Sequence, residues 1–173
     1  MDLMFERLTA WLQPLTPFTM EEAWTTRFPE AGSNCLRTWP ETPAAWRNDA
    51  EAERWAKVQV VLEAVTGALE VERREKRIGA ALEAAPKVWI ADPALLLAFE
   101  GIDPAEVFRT SAATLQAGEG PKDASRLPES PGVAVMPSKA NGCKCGRCRR
   151  ILPEVKADGA LCLRCTSALS ADG

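Results

Sequence analysis

Cysteines carry the most specific chemical signal in this chain. Four of the six form two Cys-x-x-Cys pairs, Cys145 with Cys148 and, after thirteen intervening residues, Cys162 with Cys165. Zn²⁺ binds thiolates in tetrahedral geometry, and a two-residue gap lets one tight turn direct two sulfurs at one ion. The spacing therefore predicts one structural Zn²⁺ with these four ligands. Four thiolates leave no open coordination position, so we expect the metal to support the fold and not to activate water.

Other uses of the cysteines are less favoured. Paired disulfides need an oxidising compartment, and the sequence shows no apolar signal segment that would point to one. A redox Cys-x-x-Cys usually opens a helix after a strand, and two copies this close would be unusual. Cys143 lies two residues before Cys145, and we interpret it as a spare thiol, with ligation as the alternative.

Composition excludes several kinds of chemistry. The 173 residues include no histidine and no tyrosine, which excludes histidine-based triads and histidine metal ligands. No run approaches the roughly 18 apolar residues of a membrane span. We therefore expect a soluble, cytoplasmic protein without a membrane partner, whose cysteines are reduced and bound to metal.

Positive charge is concentrated in two places although the net charge is −3. Residues 141–173 hold six basic and three acidic residues, whereas residues 1–140 carry a net charge of −6. A second cluster closes a long helix that we predict from Asn48 or Asp49 to about Ile78. Cations there complement the helix dipole, but four within five positions also keep phosphate binding open. The candidate cations are Arg73, Arg74, Lys76 and Arg77 on the helix, and Arg147, Arg149, Arg150 and Arg164 near the cysteines.

The rest of the pattern indicates the elements that position these residues. Helical spacing of apolar residues predicts a helix over 1–13, and Thr19 with Glu22 predicts a capping box for a second one. Gly79 is the predicted stop of the long helix. Beyond it, the pattern predicts strands near 87–91, 109–116 and 133–135, and short helices after Asp92 and Asp103.

These elements predict a mainly α protein in several parts. We expect a helical bundle over 1–84, a small α/β subdomain over 85–117, a solvated linker over 118–131, and a strand plus a four-cysteine zinc knuckle over 132–173.

Three segments, in this order, resemble a known family. Residues 17–24 (PFTMEEAW) resemble the helical anticodon-binding domain of class I aminoacyl-tRNA synthetases of the isoleucine, leucine and valine group. Residues 73–84 (RREKRIGAALEA) are similar to the segment that joins this bundle to a small α/β subdomain in isoleucyl-tRNA synthetases. Residues 144–148 with 162–165 resemble the C-terminal zinc knuckle of the bacterial-type enzymes. The chain departs from the family at Arg149, where tryptophan is usual, in a short loop between the cysteine pairs, and in the additional Cys143.

The resemblance implies a module that grips the anticodon stem-loop of tRNA(Ile), with the eight candidate cations as RNA contacts. It also implies that the catalytic and editing domains of the family are absent from this chain. We then expect no ligase activity from the chain alone, a catalytic portion supplied in trans, and an N-terminally incomplete bundle that leaves apolar surface exposed. The alternatives are a zinc-ribbon module for protein interaction and a duplex-DNA-binding module.

Overall fold

A computed structural model describes residues 1–170, and the chain forms two compact units, Met1–Asn48 and a second that begins at Asp49. The first unit contains α1 (Asp2–Leu12), α2 (Pro17–Arg27) and two single 3-10 turns at Asn34–Leu36 and Ala44–Trp46. The second contains α3 (Asp49–Arg74), a 3-10 turn (Ala81–Glu83), β1 (Lys87–Ile90), α4 (Pro93–Leu97), α5 (Pro104–Val107), β2 (Thr114–Ala117), β3 (Val133–Met136), β4 (Cys143–Lys144), β5 (Ile151–Leu152) and α6 (Leu163–Ser170). The prediction of a mainly α protein is confirmed.

Buried polar contacts tie the first unit together around Trp24 of α2. The Arg37 guanidinium lies 3.6 Å from the centre of the Trp24 ring, and its Nη1 donates to Asn34 Oδ1 at 2.8 Å. Asn34 is buried and donates in turn to the carbonyl of Thr9 at 3.0 Å. The same unit exposes apolar side chains, namely Leu3, Met4, Leu8, Leu15 and Phe18.

The core of the second unit lies between α3 and a three-stranded sheet. Central β1 pairs in parallel with β2 and antiparallel with β3, so that Val88 stands between Leu115 and Val135. Valines of α3, such as Val61 and Val65, are fully buried against this layer. Because α3 buries its apolar face here, it belongs with the sheet, and the unit boundary at Asn48 differs from the predicted end of the bundle at residue 84.

Both helix boundaries that the sequence emphasised are shifted in the structure. Helix α2 starts at Pro17 with Thr16 as N-cap, so Thr19 lies inside the helix and the predicted capping box with Glu22 is not formed. Proline suits the first helical position because it has no N–H to satisfy. Helix α3 ends at Arg74, before the predicted Ile78, for a reason given with the cationic cluster below.

Residues 118–131, for which we predicted a solvated linker, are more than half exposed but make defined contacts with the rest of the second unit. Ser125 forms two backbone hydrogen bonds with Val135, each of 2.8 Å, which adds a bridge to the free edge of β3. The Ser130 hydroxyl is buried and donates to the Val60 carbonyl of α3 at 3.0 Å. Arg126 donates to four backbone carbonyls within the segment. A polar segment rich in glycine and proline is therefore held in place by backbone bonds of Ser125 together with the side chains of Arg126 and Ser130.

Strand β3 joins the sheet of β1 and β2, although we had grouped it with the knuckle. The predicted strand over 109–116 is observed later and shorter, as β2. The domain predicted over 132–173 extends into residues 171–173, which lie outside the described residues. In the described part of the chain, no helix combines the length and the apolar character needed to cross a membrane.

Candidate metal centre and nucleic-acid interface

The structure brings the four predicted cysteine ligands together. Cys145 and Cys148 lie in the turn between β4 and β5, Cys162 precedes α6, and Cys165 lies in its first turn. Their four Sγ atoms all lie within 4.8 Å of one another. The Sγ atoms of Cys148 and Cys162 are 3.8 Å apart, and a tetrahedral Zn²⁺ site with bonds of about 2.3 Å has an edge of about 3.8 Å. The donor set and its spacing therefore fit one tetrahedral metal ion.

Backbone groups prepare one of these sulfurs for ionisation. The Cys162 N–H donates to Cys145 Sγ at 3.3 Å, and Cys145 is fully buried. Donation from the Cys162, Cys148 and Arg147 N–H groups lowers the pKa of the Cys145 thiol from 9.0 to about 6. Burial raises the pKa of the Cys148 thiol to about 11. Cys145 therefore ionises more readily than Cys148.

Two glycines allow the knuckle backbone to close around the cysteines. Gly142 has a φ of 119°, and a Cβ there would collide with the backbone carbonyl of Leu152. A Cβ at Gly146 would collide with the carbonyl of Gly159, and the Gly146 N–H donates to Ala160 at 3.0 Å. A larger residue at Gly142 would push β4 and β5 apart, and one at Gly146 would push apart the segments that carry the two cysteine pairs.

Cys143 lies outside the group of four sulfurs. It is half-buried on β4 and packs beside the buried cysteine cluster. This placement agrees with our interpretation of Cys143 as a spare thiol, which stays a prediction. Cys35 is exposed and belongs to the first unit.

Arg150 and Ser111 join the knuckle to the α/β part of the second unit. Arg150 donates to the Ser111 carbonyl from Nη2 at 2.8 Å and from Nε at 3.2 Å, with its side chain only 19% exposed. The Ser111 hydroxyl donates to the Leu82 carbonyl at 2.5 Å and accepts from the Ile151 N–H at 2.6 Å. Arg150, which we predicted as an RNA contact, is thus engaged inside the protein.

Arg164 is also engaged, through Glu106 of α5. Its Nη1 lies 2.6 Å from Glu106 Oε1, and the attraction of that carboxylate raises the pKa of the Arg164 guanidinium. Glu106 also lies 3.9 Å from Arg150. These contacts connect α6 and β5 to α5 by charge as well as by hydrogen bonds.

Helix α3 ends in a Schellman motif centred on Lys76. The Lys76 N–H donates to the Arg73 carbonyl at 3.1 Å and the Arg77 N–H to the Glu72 carbonyl at 2.9 Å. Lys76 itself is left-handed, with a φ of 59°. Lys76 therefore occupies the C′ position that we had assigned to Gly79, and the helix stops earlier than predicted.

Acidic neighbours pair with half of the helix-end cations. Arg77 forms two hydrogen bonds with the Glu72 carboxylate, at 2.6 and 2.7 Å, and it also contacts Glu75. Arg73 lies 3.2 Å from Glu70. Among the described residues, Arg74 and Lys76 have no hydrogen-bonded or ionic side-chain partner.

The eight predicted RNA-contact residues therefore fall into two sets. The paired set is engaged by carboxylates or carbonyls of the protein and comprises Arg73, Arg77, Arg150 and Arg164. The unpaired set is exposed, forms no side-chain hydrogen bond or ion pair within residues 1–170, and comprises Arg74, Lys76, Arg147 and Arg149.

One exposed cation near these sets was missed from the sequence. Arg109 borders a cleft together with Arg150, Arg164 and Cys148. It is a single arginine without a cationic neighbour in the sequence, so no charge cluster signalled it. The only available signal was its position just beyond the end of the very short helix that Asp103 caps.

Comparisons with known proteins identify the chain's family. Residues 2–88 match the family described as the anticodon-binding domain of tRNA ligase. The chain is 65% identical over 158 residues to an isoleucine–tRNA ligase of Caulobacter vibrioides, and 52% identical over 155 residues to one of Agrobacterium fabrum. These matches cover 91% and 90% of this chain but only 16% of each relative's length. With half of its residues matching that family, and with the helices and the four-cysteine knuckle that the resemblance implied, the chain belongs to the anticodon-binding domains of tRNA ligases.

Proposed function

We propose that this chain binds the anticodon stem-loop of an isoleucine-accepting tRNA and positions that tRNA for aminoacylation by a catalytic portion outside the chain. The observation that carries the proposal is the family match over residues 2–88, together with high identity to isoleucine–tRNA ligases. The unpaired cations add physical support, because arginine and lysine side chains without a partner inside the protein can bind RNA phosphates.

The metal in this proposal is a single structural Zn²⁺ held by Cys145, Cys148, Cys162 and Cys165. When bound, the ion supplies a fixed tetrahedral junction and compensates the charge of the thiolates. Two arginines attach this junction to the rest of the second unit, because Arg150 binds Ser111 and Arg164 binds Glu106. The knuckle is thereby oriented relative to the end of α5.

The unpaired set divides between the two basic regions of the second unit. Arg74 ends the last turn of α3 and Lys76 follows it, whereas Arg147 and Arg149 lie in the turn that carries the first cysteine pair. We assign these four residues to phosphate contact. The paired set serves the fold first, although its guanidinium groups add to the positive field that attracts RNA.

The proposal also covers catalysis and location. The relatives are isoleucine–tRNA ligases, and the chain corresponds to 16% of their length. We propose that it does not activate isoleucine alone, and that it acts in the cytoplasm with the catalytic portion of the ligase, in the same polypeptide or in trans. We expect pure chain to show no isoleucine-dependent ATP turnover, measured by pyrophosphate exchange. Adenylate formation at a rate that follows the protein through purification would contradict this expectation.

Filter binding tests the RNA-binding function directly. The zinc-loaded chain is titrated against isoleucine tRNA, a second tRNA, and duplex DNA of the same charge at several salt concentrations. We expect preferential binding of the isoleucine tRNA, with an affinity that falls as salt rises. Tighter binding to duplex DNA would favour the DNA-binding alternative, and no binding to any nucleic acid would favour a protein-interaction module.

A further inference from the structure

All three non-glycine residues with positive φ within residues 1–170 are cations. They are Lys76, Arg109 and Arg149, with φ values of 59°, 55° and 66°. Glycine adopts this conformation at no steric cost, whereas other residues are disfavoured there. Each of the three is exposed and has no side-chain hydrogen bond or ion pair in the described chain. The helix dipole favours a cation at Lys76, after the last turn of α3, but no side-chain contact within residues 1–170 holds any of the three.

Arg109 is the one of the three that the sequence did not signal. It occupies the C′ position of a second Schellman motif, in which the Thr110 N–H donates to the Ala105 carbonyl at 2.9 Å and the Arg109 N–H donates to the Glu106 carbonyl at 3.3 Å. This position places Arg109 between two clefts. One includes the knuckle residues Cys148, Arg150 and Arg164, and the other lies against the second half of α3.

The cleft against α3 has an apolar interior and a polar rim. Leu62, Thr66 and Glu70 stand one turn apart along one ridge of α3, and Val107 and Phe108 form the opposite wall beside Arg109. Its volume is about 380 Å³. Cavities that hold small ligand groups start at about 300 Å³ and combine apolar walls with a few polar groups, as here.

Two polar groups at this rim, the Thr66 hydroxyl and the Glu70 carboxylate, are available to a ligand. Threonine hydroxyls in helices usually donate to a carbonyl one turn earlier, as those of Thr9 in α1 and Thr25 in α2 do at 2.8 and 2.9 Å. The Thr66 hydroxyl makes no such bond within the described residues. Glu70 pairs only with exposed Arg73, at 3.2 Å, so its carboxylate can exchange that partner for another donor.

We infer that this cleft receives one unstacked nucleobase of the bound RNA, with the Arg109 guanidinium stacking on the base or holding its phosphate. Single-stranded RNA is recognised by splaying out bases, stacking them on planar side chains and reading their edges by hydrogen bonds. Thr66 and Glu70 supply an edge-reading hydroxyl and a carboxylate that accepts from an exocyclic amino group. The inference rests on the proposed function and adds to it a specific base-binding site.

The test combines two variants of the full, zinc-loaded chain with modified RNA. Arg109→Gly removes the guanidinium at a position whose backbone suits glycine, so the fold is retained. Thr66→Leu fills the cleft without a change in charge. Lys122→Ala is the matched control, because it removes an exposed cation that borders neither cleft. The probe is the anticodon stem-loop of isoleucine tRNA, intact or with one loop nucleotide at a time made abasic.

We expect Arg109→Gly and Thr66→Leu each to weaken binding of the intact stem-loop about tenfold, with little change for Lys122→Ala. One abasic position should weaken binding to the unmodified chain by a similar factor and should add nothing to the loss in Thr66→Leu. The inference would be overturned if both variants bound the intact stem-loop as tightly as the unmodified chain does. It would also be overturned if the abasic position weakened binding to Thr66→Leu as much as it weakens binding to the unmodified chain. If the unmodified chain binds no stem-loop at all, the proposed function fails and the inference falls with it.

Discussion

The Cys165 sulfur belongs to the group of four that can bind a metal ion, and the Cys143 sulfur does not. Cys165 is buried within that group, whereas Cys143 packs beside it. We predict that Cys165→Ser lowers the zinc content well below one ion per chain, because a hydroxyl is a far weaker ligand than a thiolate. Cys143→Ser should keep the full zinc content. Elemental analysis of reduced protein measures both, and loss of zinc from Cys143→Ser would show that Cys143 is a ligand.

Glu72 is the residue through which acid should weaken the end of α3. Its hydrogen bonds with Arg77 lower the pKa of the Glu72 carboxyl below the ordinary 4.5. A lowered pKa in the folded state means that the pairing stabilises above pH 4.5 and that the stabilisation is lost as pH falls through the lowered value. We predict that Glu72→Gln makes the α3 end less stable at neutral pH. Because the titrating carboxylate is gone, acidification should then destabilise this helix end less than it does in the unmodified chain.

Amide exchange at Glu75 and Lys76, measured between neutral and acidic pH, tests the role of Glu72. Glu63→Gln is the matched control, since it removes one exposed carboxylate from the same helix. Equal effects of the two substitutions would mean that net charge, and not the Glu72 pair, controls this helix end.

The attachment of the knuckle to the α/β part of the second unit depends on Ser111. Its hydroxyl donates to the Leu82 carbonyl and accepts from the Ile151 N–H, and its carbonyl accepts from Arg150. The residue is 1% exposed. We predict that Ser111→Ala costs about 1 to 3 kcal/mol of unfolding free energy, because the Ile151 N–H is left without its acceptor. Ser138→Ala, which removes an exposed hydroxyl bonded to Ala85, should cost less. Urea unfolding of zinc-loaded protein compares the two, and equal losses would contradict a special role for Ser111.

Elements whose structure is determined by residues close together in the sequence could be predicted from the sequence. The cysteine turns, the Asp92 and Asp103 caps and the strand at Val88 are encoded within a few residues, and the structure has all of them. The end of α3 was misplaced because a lysine, not a glycine, adopts the left-handed conformation. The sequence of segment 118–131 resembles a linker because its anchors, the backbone bonds of Ser125 to Val135 and the Ser130 hydroxyl bond to the Val60 carbonyl, reach distant residues that no local pattern reveals.

The candidate RNA contacts show the same limit. Charge clustering located eight cations, and Glu70 and Glu72 lie close to Arg73 and Arg77 in the sequence. The engagement of Arg150 by Ser111 and of Arg164 by Glu106 joins residues far apart in the sequence, so only the tertiary structure reveals it. Arg109 was missed for the converse reason, since its cationic neighbours Arg150 and Arg164 are brought to it by the fold.

For the proposed binding of RNA, a chain with a net negative charge must present its cations locally. The net charge is −3, so long-range attraction is weak and contact residues must supply most of the affinity. The second unit offers two such places, the end of α3 and the knuckle, and the cleft bordered by Arg109 lies against the second half of α3. The arrangement favours a partner that touches several points of one unit over a partner held by a broad basic surface.

Two variants with equal charge change can separate contact from field. The first neutralises the unpaired set through Arg74→Gln, Lys76→Gly, Arg147→Gln and Arg149→Gly. The second neutralises the paired set by glutamine at Arg73, Arg77, Arg150 and Arg164. We predict that the first loses more affinity for isoleucine tRNA, and that its slope of log K against log salt flattens by about 0.7 for each single-strand phosphate contact removed.

The paired-set variant should instead lose stability, because it strands Glu72 and Glu106 without their partners and releases the knuckle from Ser111. Filter binding across salt concentrations and thermal unfolding of the same two proteins give both readouts. Equal losses of affinity would mean that only the overall field attracts the RNA. A larger loss in the paired-set variant, with its fold intact, would mean that those arginines exchange their carboxylate partners for phosphates when RNA binds.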